Sequence, residues 1–289
     1  MRSPSFIGPQ NPVRAWARRI SRSSRARPDV LVGQLARRLE VLERLVILPE
    51  SAEASVEEAV RLLAPRQFAD LPLERVGSMH DGGYVLPAWS NTRCSGVVSI
   101  GVGTNNDCDV VLAGRGLPVH AWDHTVSGLP RQHEAITFHQ VGLGTGVDLL
   151  PLDDLVRASF GTSVSNLILL LDAEGAEWEA LAGAPHDLLS RFDVIAVEIH
   201  DLGEIMLDAE PILSTLRSLR EQFVPVAVHV NNHGAVWRVG PWDWPDALEV
   251  TFVRDDSVHS PPREGNCSAG LLAPCCADLP DPILRWLDA

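Results

Sequence analysis

An α/β fold built on a mainly parallel seven-stranded sheet is predicted by three observations. Apolar runs of strand length alternate with segments of helical periodicity from about residue 97 onward. One run, Leu167-Ile-Leu-Leu-Leu171, is apolar on both faces, as a central strand covered by helices on each side must be. Finally, Val97-Val-Ser-Ile-Gly-Val-Gly103 leads through a helix-length segment to Val119-His-Ala-Trp-Asp123, the layout of a nucleotide-binding half-unit.

Residues 1–28, rich in Arg, Ser and Pro, read as a flexible lead, and 29–70 as a helical extension before the domain proper at 71–289. Val32, Leu35, Leu39, Leu42 and Val46 recur at heptad spacing, which suits either homodimerisation through 30–48 or packing on the chain's own domain. Pro49 breaks this seam, and Ser55-Val-Glu-Glu58 reads as a capping box opening a helix through Leu63. Leu73 to Leu86 reads as two short strands around Asp81-Gly-Gly83. Strands are expected near 97–101, 118–122, 136–141, 167–172, 193–199, 225–231 and 247–254. Helices are expected near 106–115, 152–159, 175–190 and 207–221.

Composition narrows the chemistry. The chain of 289 residues carries a net charge of −14, although residues 1–44 hold ten arginines against three acids. The body is therefore strongly acidic and would repel phosphate, which argues against nucleic acid as a partner. No apolar run is long enough to span a membrane. The N-terminal arginines are followed by no signal-like apolar stretch, and the five cysteines have neither even pairing nor Cys-x-x-Cys spacing. A cytoplasmic protein with reduced thiols is expected. There is no lysine at all. That removes the P-loop, Schiff-base chemistry and any reductase built on a Tyr-x-x-x-Lys pair.

Polar residues collect where the strands end, the usual ligand rim of an open α/β sheet. The central strand runs into Asp172-Ala-Glu-Gly-Ala-Glu177, the next into Glu198-Ile-His200, and the next into His229-Val-Asn231-Asn232-His233. Gly101 and Gly103 allow a tight turn and close approach to a ligand, and Asp123 is placed to accept hydrogen bonds from ribose hydroxyls. Each has a plainer reading as well. Asp172 and Glu174 could cap the following helix, Glu177 and Glu179 could lie exposed on it, His200 could be a core histidine, and Asn231-Asn232 could be a turn.

Taken together and in order, these motifs resemble the FkbM-type S-adenosylmethionine-dependent methyltransferases over roughly residues 73–255. The matching pieces are Arg75-Val-Gly77 with Asp81-Gly-Gly-Tyr-Val-Leu86, Ile100-Gly-Val-Gly103 with Asp107 and Asp123, and Phe138 to Gly144. Leu171-Asp-Ala-Glu-Gly-Ala-Glu177, Val197-Glu-Ile-His200, His229-x-Asn-Asn232 and Pro245 to Thr251 complete the order. The resemblance implies a Rossmann-like class I methyltransferase sheet with its last strand inserted antiparallel. It implies cofactor contacts from Gly101, Gly103, Asp107, Asp123, Gly142 and Asp172. Ser99 and Asn105 depart from the acid and third glycine common in methyltransferases, which leaves the cofactor's amino group to Asp107 or the 77–83 turn.

The expected reaction is O-methylation of a sugar or other natural-product alcohol. His200, oriented by Glu198, is the preferred base and Asp172 the alternative. If Mg2+ activates the hydroxyl instead, Asp172, Glu198 and Asn231 are the candidate ligands. Asp81, Asn232, His233 and Trp237 are candidates for contacting the small-molecule acceptor, although Trp237, Trp242 and Trp244 would serve equally as a hydrophobic clasp. The competing readings are a nicotinamide-dependent oxidoreductase and a non-catalytic scaffold on the same fold.

Overall fold

The computed structural model describes residues 50–264 and 270–287; the predicted seam at 30–48 and Cys267 lie outside them. In chain order, α1 (Glu50–Leu63) and β1 (Arg66–Gln67) precede the hairpin β2 (Leu73–Gly77) and β3 (Gly83–Pro87). Next come α2 (Ser90–Arg93), β4 (Gly96–Ile100), α3 (Asp107–Gly114), β5 (Val119–Trp122), β6 (Ile136–His139), β7 (Gly142–Leu143) and β8 (Leu149–Leu150). They are followed by α4 (Leu152–Phe160), β9 (Leu167–Leu171), α5 (Glu177–Ala182), α6 (His186–Leu189) and β10 (Phe192–Ile199). A 3-10 turn at Leu202–Met206 leads to α7 (Glu210–Arg220) and β11 (Phe223–Val230). The chain continues with the hairpin β12 (Val236–Val239) and β13 (Trp242–Pro245), then β14 (Leu248–Arg254) and β15 (Arg263–Glu264).

Seven strands form one sheet in the order β6-β5-β4-β9-β10-β14-β11. From β6 to β10 neighbours pair parallel, and β14 inserts antiparallel between β10 and β11. β9 is central and wholly buried, which is why its five residues can be apolar on both faces. One face carries Leu169, Ile195, Val197 and Val250 against α1, α4 and α7. The other carries Val97, Ile168, Leu170 and Ala196 against α3 and the β2–β3 hairpin.

Two boundaries differ from the sequence expectation. α1 starts at Glu50, so Ser55 lies inside the helix rather than capping it. Ala52 continues the buried stripe of Val56, Ala59 and Leu63, and that packing carries the helix one turn further back. The helix expected over 175–190 is two, α5 and α6, because Pro185 lacks the N–H a continuous helix would need.

α3 brings one costly group to the sheet. Asp109 is 3% exposed, its Oδ1 has no hydrogen-bond partner among the described residues, and burial pushes its carboxyl up to about 7 despite a hydrogen bond from Ser99. The unfolded chain would release this proton near pH 4 and the folded chain near 7, so stability falls across that interval and levels off above it. The full loss is about 4 kcal/mol as an upper bound. Asp109→Asn, which cannot titrate, should therefore gain on the wild type between pH 5 and pH 8 in urea unfolding. Parallel stability curves for the two proteins would show that Asp109 is charged throughout.

Candidate active site

The two glycines of the β4 turn play different parts. Gly101 has φ +85°, and a Cβ there would stand 1.5 Å from the Asp172 carbonyl oxygen, so the end of β9 closes on it. At Gly103, with φ +55°, a Cβ would meet nothing within 4 Å among the described residues. The Gly103 N–H donates to Asp123 Oδ2 at 2.7 Å, while Asp123 Oδ1 accepts from the Thr125 N–H at 2.7 Å and its hydroxyl at 2.6 Å. A buried carboxylate thus fixes the turn and leaves the side of Gly103 open.

The segment that departs from glycine is a clamp. Asn105 Nδ2 donates to the Asp81 carbonyl at 2.6 Å and its Oδ1 accepts from the Asp107 N–H at 3.0 Å. Asn106 grips the Arg131 backbone with both ends of its amide, and Asp107 pairs with the Arg131 guanidinium at 2.7 Å. Gly142 packs against His124, the residue after Asp123: a Cβ there would stand 2.2 Å from His124 Nδ1.

At the ends of β9 and β10, Asp172, Glu198 and His200 come together with Glu174, which could have been only a helix cap, and Glu177, which could have lain exposed on the helix. Glu177 is fully buried, not exposed. Its carboxylate accepts from the Ala173 and Gly175 N–H groups at 2.7 and 2.8 Å and lies 3.0 Å from His200 Nδ1. His200 Nε2 is 3.0 Å from Glu198 Oε1, and 3.9 Å from both Asp172 Oδ1 and Glu174 Oε2. Trp178 Nε1 donates to the His200 carbonyl at 2.7 Å, which fixes the backbone beneath the ring. Glu174 and Asp201 both sit in the left-handed region, at φ 54° and 55°. Such strain in non-glycine residues concentrates at functional sites. Glu179 is exposed, as expected.

Burial and the charge of Glu198 push the Asp172 carboxyl well above the usual carboxylate range. Desolvation, with Glu198, Glu249 and Glu174 adding to it, pushes Asp81 up to about 6. Burial and the charges of Asp172, Glu198 and Glu249 likewise raise Tyr84, the chain's one tyrosine, so its hydroxyl stays a donor. Its place after Asp81-Gly-Gly83 was the available signal for it.

The remaining candidates divide. Asn231 Nδ2 donates to Glu198 Oε1, and its Oδ1 accepts from the His233 N–H at 2.9 Å. Asn232 is buried and turns away to the C-terminal segment, with Nδ2 donating to the Cys276 and Leu279 carbonyls and Oδ1 accepting from the Cys276 N–H. Trp237 lies in the main core, paired across the β12–β13 hairpin with Trp244 and with its ring against Gly203. No periodicity in the sequence announced that residues 274–281 would reach back over this face.

A Methyltransferase FkbM domain matches residues 77–246, from the end of β2 to the start of β14's approach. A crystal structure described as a candidate RNA methyltransferase from Pyrococcus horikoshii aligns with 69% of this chain and 98% of its own. The identity is 12% and the TM-score 0.23, a likeness too remote to bear on activity. No curated protein is significantly similar to the chain. The domain match spans more than half of the 289 residues and takes in the Gly101–Gly103 turn, Asp123, Asp172, Glu198 and His200. The chain belongs to the FkbM methyltransferase family.

Proposed function

We propose that the protein transfers a methyl group from S-adenosylmethionine to a hydroxyl of a sugar or related natural-product molecule. The observation that carries this reading is the contrast between Gly101, closed against Asp172, and Gly103, whose missing Cβ faces open space beside a buried Asp123. That is a cradle a side chain would fill. Gly101, Gly103, Asp123 and the Asp172 end of β9 would hold the cofactor, with Asp107 and Gly142 flanking it. When bound, it supplies a sulfonium methyl group open to displacement by an oxygen nucleophile.

What the chain itself must do is orient the acceptor and receive its proton. Burial and Glu198 raise the Asp172 carboxyl well above the usual carboxylate range, which favours its protonated form and disfavours it as the base. The Glu198–His200 pair takes that part, with His200 Nε2 3.0 Å from Glu198 Oε1. Glu177 is the positioning residue that fixes the ring through Nδ1. The acidic lining of Asp81, Glu174 and Glu198 offers acceptors to a polyhydroxylated substrate and repels anionic ones.

Asp172, Glu198 and Asn231 fit a magnesium ion poorly. Asn231 turns its amide nitrogen to Glu198 and commits its oxygen to His233, and Glu198 Oε1 is already shared with His200. Added Mg2+ is therefore expected to change the initial rate by less than about twofold; a strict requirement for Mg2+ would restore the metal-assisted route.

Two variant sets test the reading. Gly103→Ala should fold, at a cost of about 1–2 kcal/mol for the left-handed residue, yet lose at least about tenfold in S-adenosylhomocysteine affinity by calorimetry. Gly101→Ala should fail to fold stably, because its Cβ would collide with the Asp172 carbonyl. Undiminished binding in Gly103→Ala, or NADH binding in place of S-adenosylhomocysteine, would sink the cofactor assignment. His200→Ala should lower kcat about 100-fold or more while leaving S-adenosylhomocysteine affinity within about threefold. Glu177→Gln should lower kcat less and move the pH profile. Equal loss of binding and turnover in His200→Ala would assign that residue to the cofactor instead.

A further inference from the structure

A second group of side chains lies on the same sheet face and takes no part in the proposed methyl transfer. His229 of β11 and Glu249 of β14 stand directly opposite each other, and Glu249 stands opposite Glu198 of β10. Cys275 reaches them from the C-terminal segment. All three residues are nearly enclosed, with exposures of 5, 8 and 6%. Glu249 lies between the other two: Oε2 is 3.4 Å from His229 Nδ1, and Oε1 accepts from the Cys275 thiol at 3.3 Å. One donor atom from each falls within 4.8 Å of the others.

The outer contacts aim these atoms inward. His229 Nε2 lies 2.9 Å from Asp281 Oδ2, so the ring is oriented from behind and presents Nδ1 to Glu249. A carboxylate on the far nitrogen is the usual support of a metal-binding imidazole. The Cys275 carbonyl accepts from the Asp81 N–H at 3.2 Å, and the next residue is clamped by Asn232, which fixes the thiol's position. Glu249, Cys275 and Asp281 lie beyond residues 77–246, so of this group only His229 falls within the matched domain.

A tether for the C-terminal segment would need only the His229–Asp281 and Asn232 contacts. It would not need a buried thiol directed at a carboxylate. Burial and the charges of Glu249 and Glu198 push the Cys275 thiol up, so by itself it is inert. A divalent cation reverses that preference by favouring the thiolate and displacing its proton. Imidazole nitrogen, carboxylate oxygen and thiolate sulfur together match zinc, whereas magnesium and calcium prefer oxygen alone.

We propose that His229 Nδ1, Glu249 and Cys275 Sγ bind a zinc ion that pins the C-terminal segment 270–287 to the sheet, with Asp281 as the positioning residue behind His229. Three protein ligands leave one tetrahedral position for water or another oxygen ligand. Zinc joins strands β11 and β14 to a segment that otherwise reaches them through hydrogen bonds, and it neutralises acid one strand away from Glu198.

The test uses the full chain, stripped with a chelator, dialysed, and titrated separately with Zn2+, Mg2+ and Co2+. One equivalent of Zn2+ should bind tightly and raise Tm, while Mg2+ should do neither. Co2+ should produce a thiolate-to-metal charge-transfer band. Cys275→Ser should abolish that band and weaken Zn2+ binding by about 100-fold or more, and Asp281→Asn should weaken it by about tenfold. Cys276→Ser should change neither. A second measurement does not depend on the folding of Cys275→Ser and uses the wild type alone: in partly denaturing urea, where the metal-free thiol becomes accessible, Zn2+ should protect Cys275 from alkylation, mapped by mass spectrometry. Zn2+ binding no tighter than Mg2+, a cobalt band that survives in folded Cys275→Ser, or an unprotected Cys275 would each overturn the proposal. None of these outcomes bears on S-adenosylhomocysteine binding, so the methyl-transfer reading stands or falls separately.

Discussion

A sheet covered on both faces leaves its polar side chains very few places to be. β9 is buried along its whole length, and β10 along all eight residues. A charged group on such a strand must therefore lie at the carboxyl end or find a partner within the face. Asp172 and His200 take the first course, one just beyond β9 and the other just beyond β10. Glu198, Glu249 and His229 take the second, lined up across three neighbouring strands. This row is thus a consequence of how the core is built: acid carried into the sheet is paired within the face, as Asp193 at the other end of β10 is paired with Asn166 and Arg254.

The same constraint explains what the sequence revealed. Strand positions were legible because buried strands are written as apolar runs, and the antiparallel last strand followed from the family resemblance. The pairing of Asp172, Glu198 and His200 was legible because period-two alternation and strand-end position place them on one rim. Glu177 was not, since a glutamate in the first turn of a helix ordinarily faces water. What buries it is the tight 173–176 turn, whose N–H groups close on its carboxylate. Glu249 carried a signal that went unread: a charged residue inside Leu248-Glu-Val-Thr-Phe-Val253 must have a buried partner. Cys275 and Asp281 carried none, because their partners are brought to them only by the folded chain.

Asn105 and Asn106 show how a departure from a family pattern can be absorbed. A third glycine would have left the turn free to approach a ligand at that point. Instead Asn105 holds the Asp81 turn and Asn106 holds Arg131, so the loop is fixed by side-chain amides on both sides. Gly82 belongs to the same arrangement, because a Cβ there would run into Asn105 at 2.3 Å. Rigidity has replaced permissiveness, and the open approach has been narrowed to Gly103. The turn held by Asn105 carries Asp81, whose carboxyl is raised by desolvation and, after it, by the charges of Glu198, Glu249 and Glu174.

The concentration of acid sets the terms on which this face can be stable. Asp81, Asp172, Glu198 and Glu249 influence one another, and in a poorly solvated setting they cannot all be charged without compensation. Burial and the charge of Glu198 shift Asp172 towards its protonated form. Glu198 is balanced by His200 and by the amide of Asn231. Glu249 is balanced by His229, whose imidazole is raised to about 9 by Asp281 and Glu249 against the opposing effect of burial. The C-terminal segment is drawn into this balance, since it supplies both Asp281 and Cys275. Its docking and the charge balance at Glu249 are therefore linked, alongside the contacts of Asn232 with Cys276 and Leu279 and of Asp243 with Arg285 and Trp286. Each new negative charge on this face would have to be met by another proton or cation.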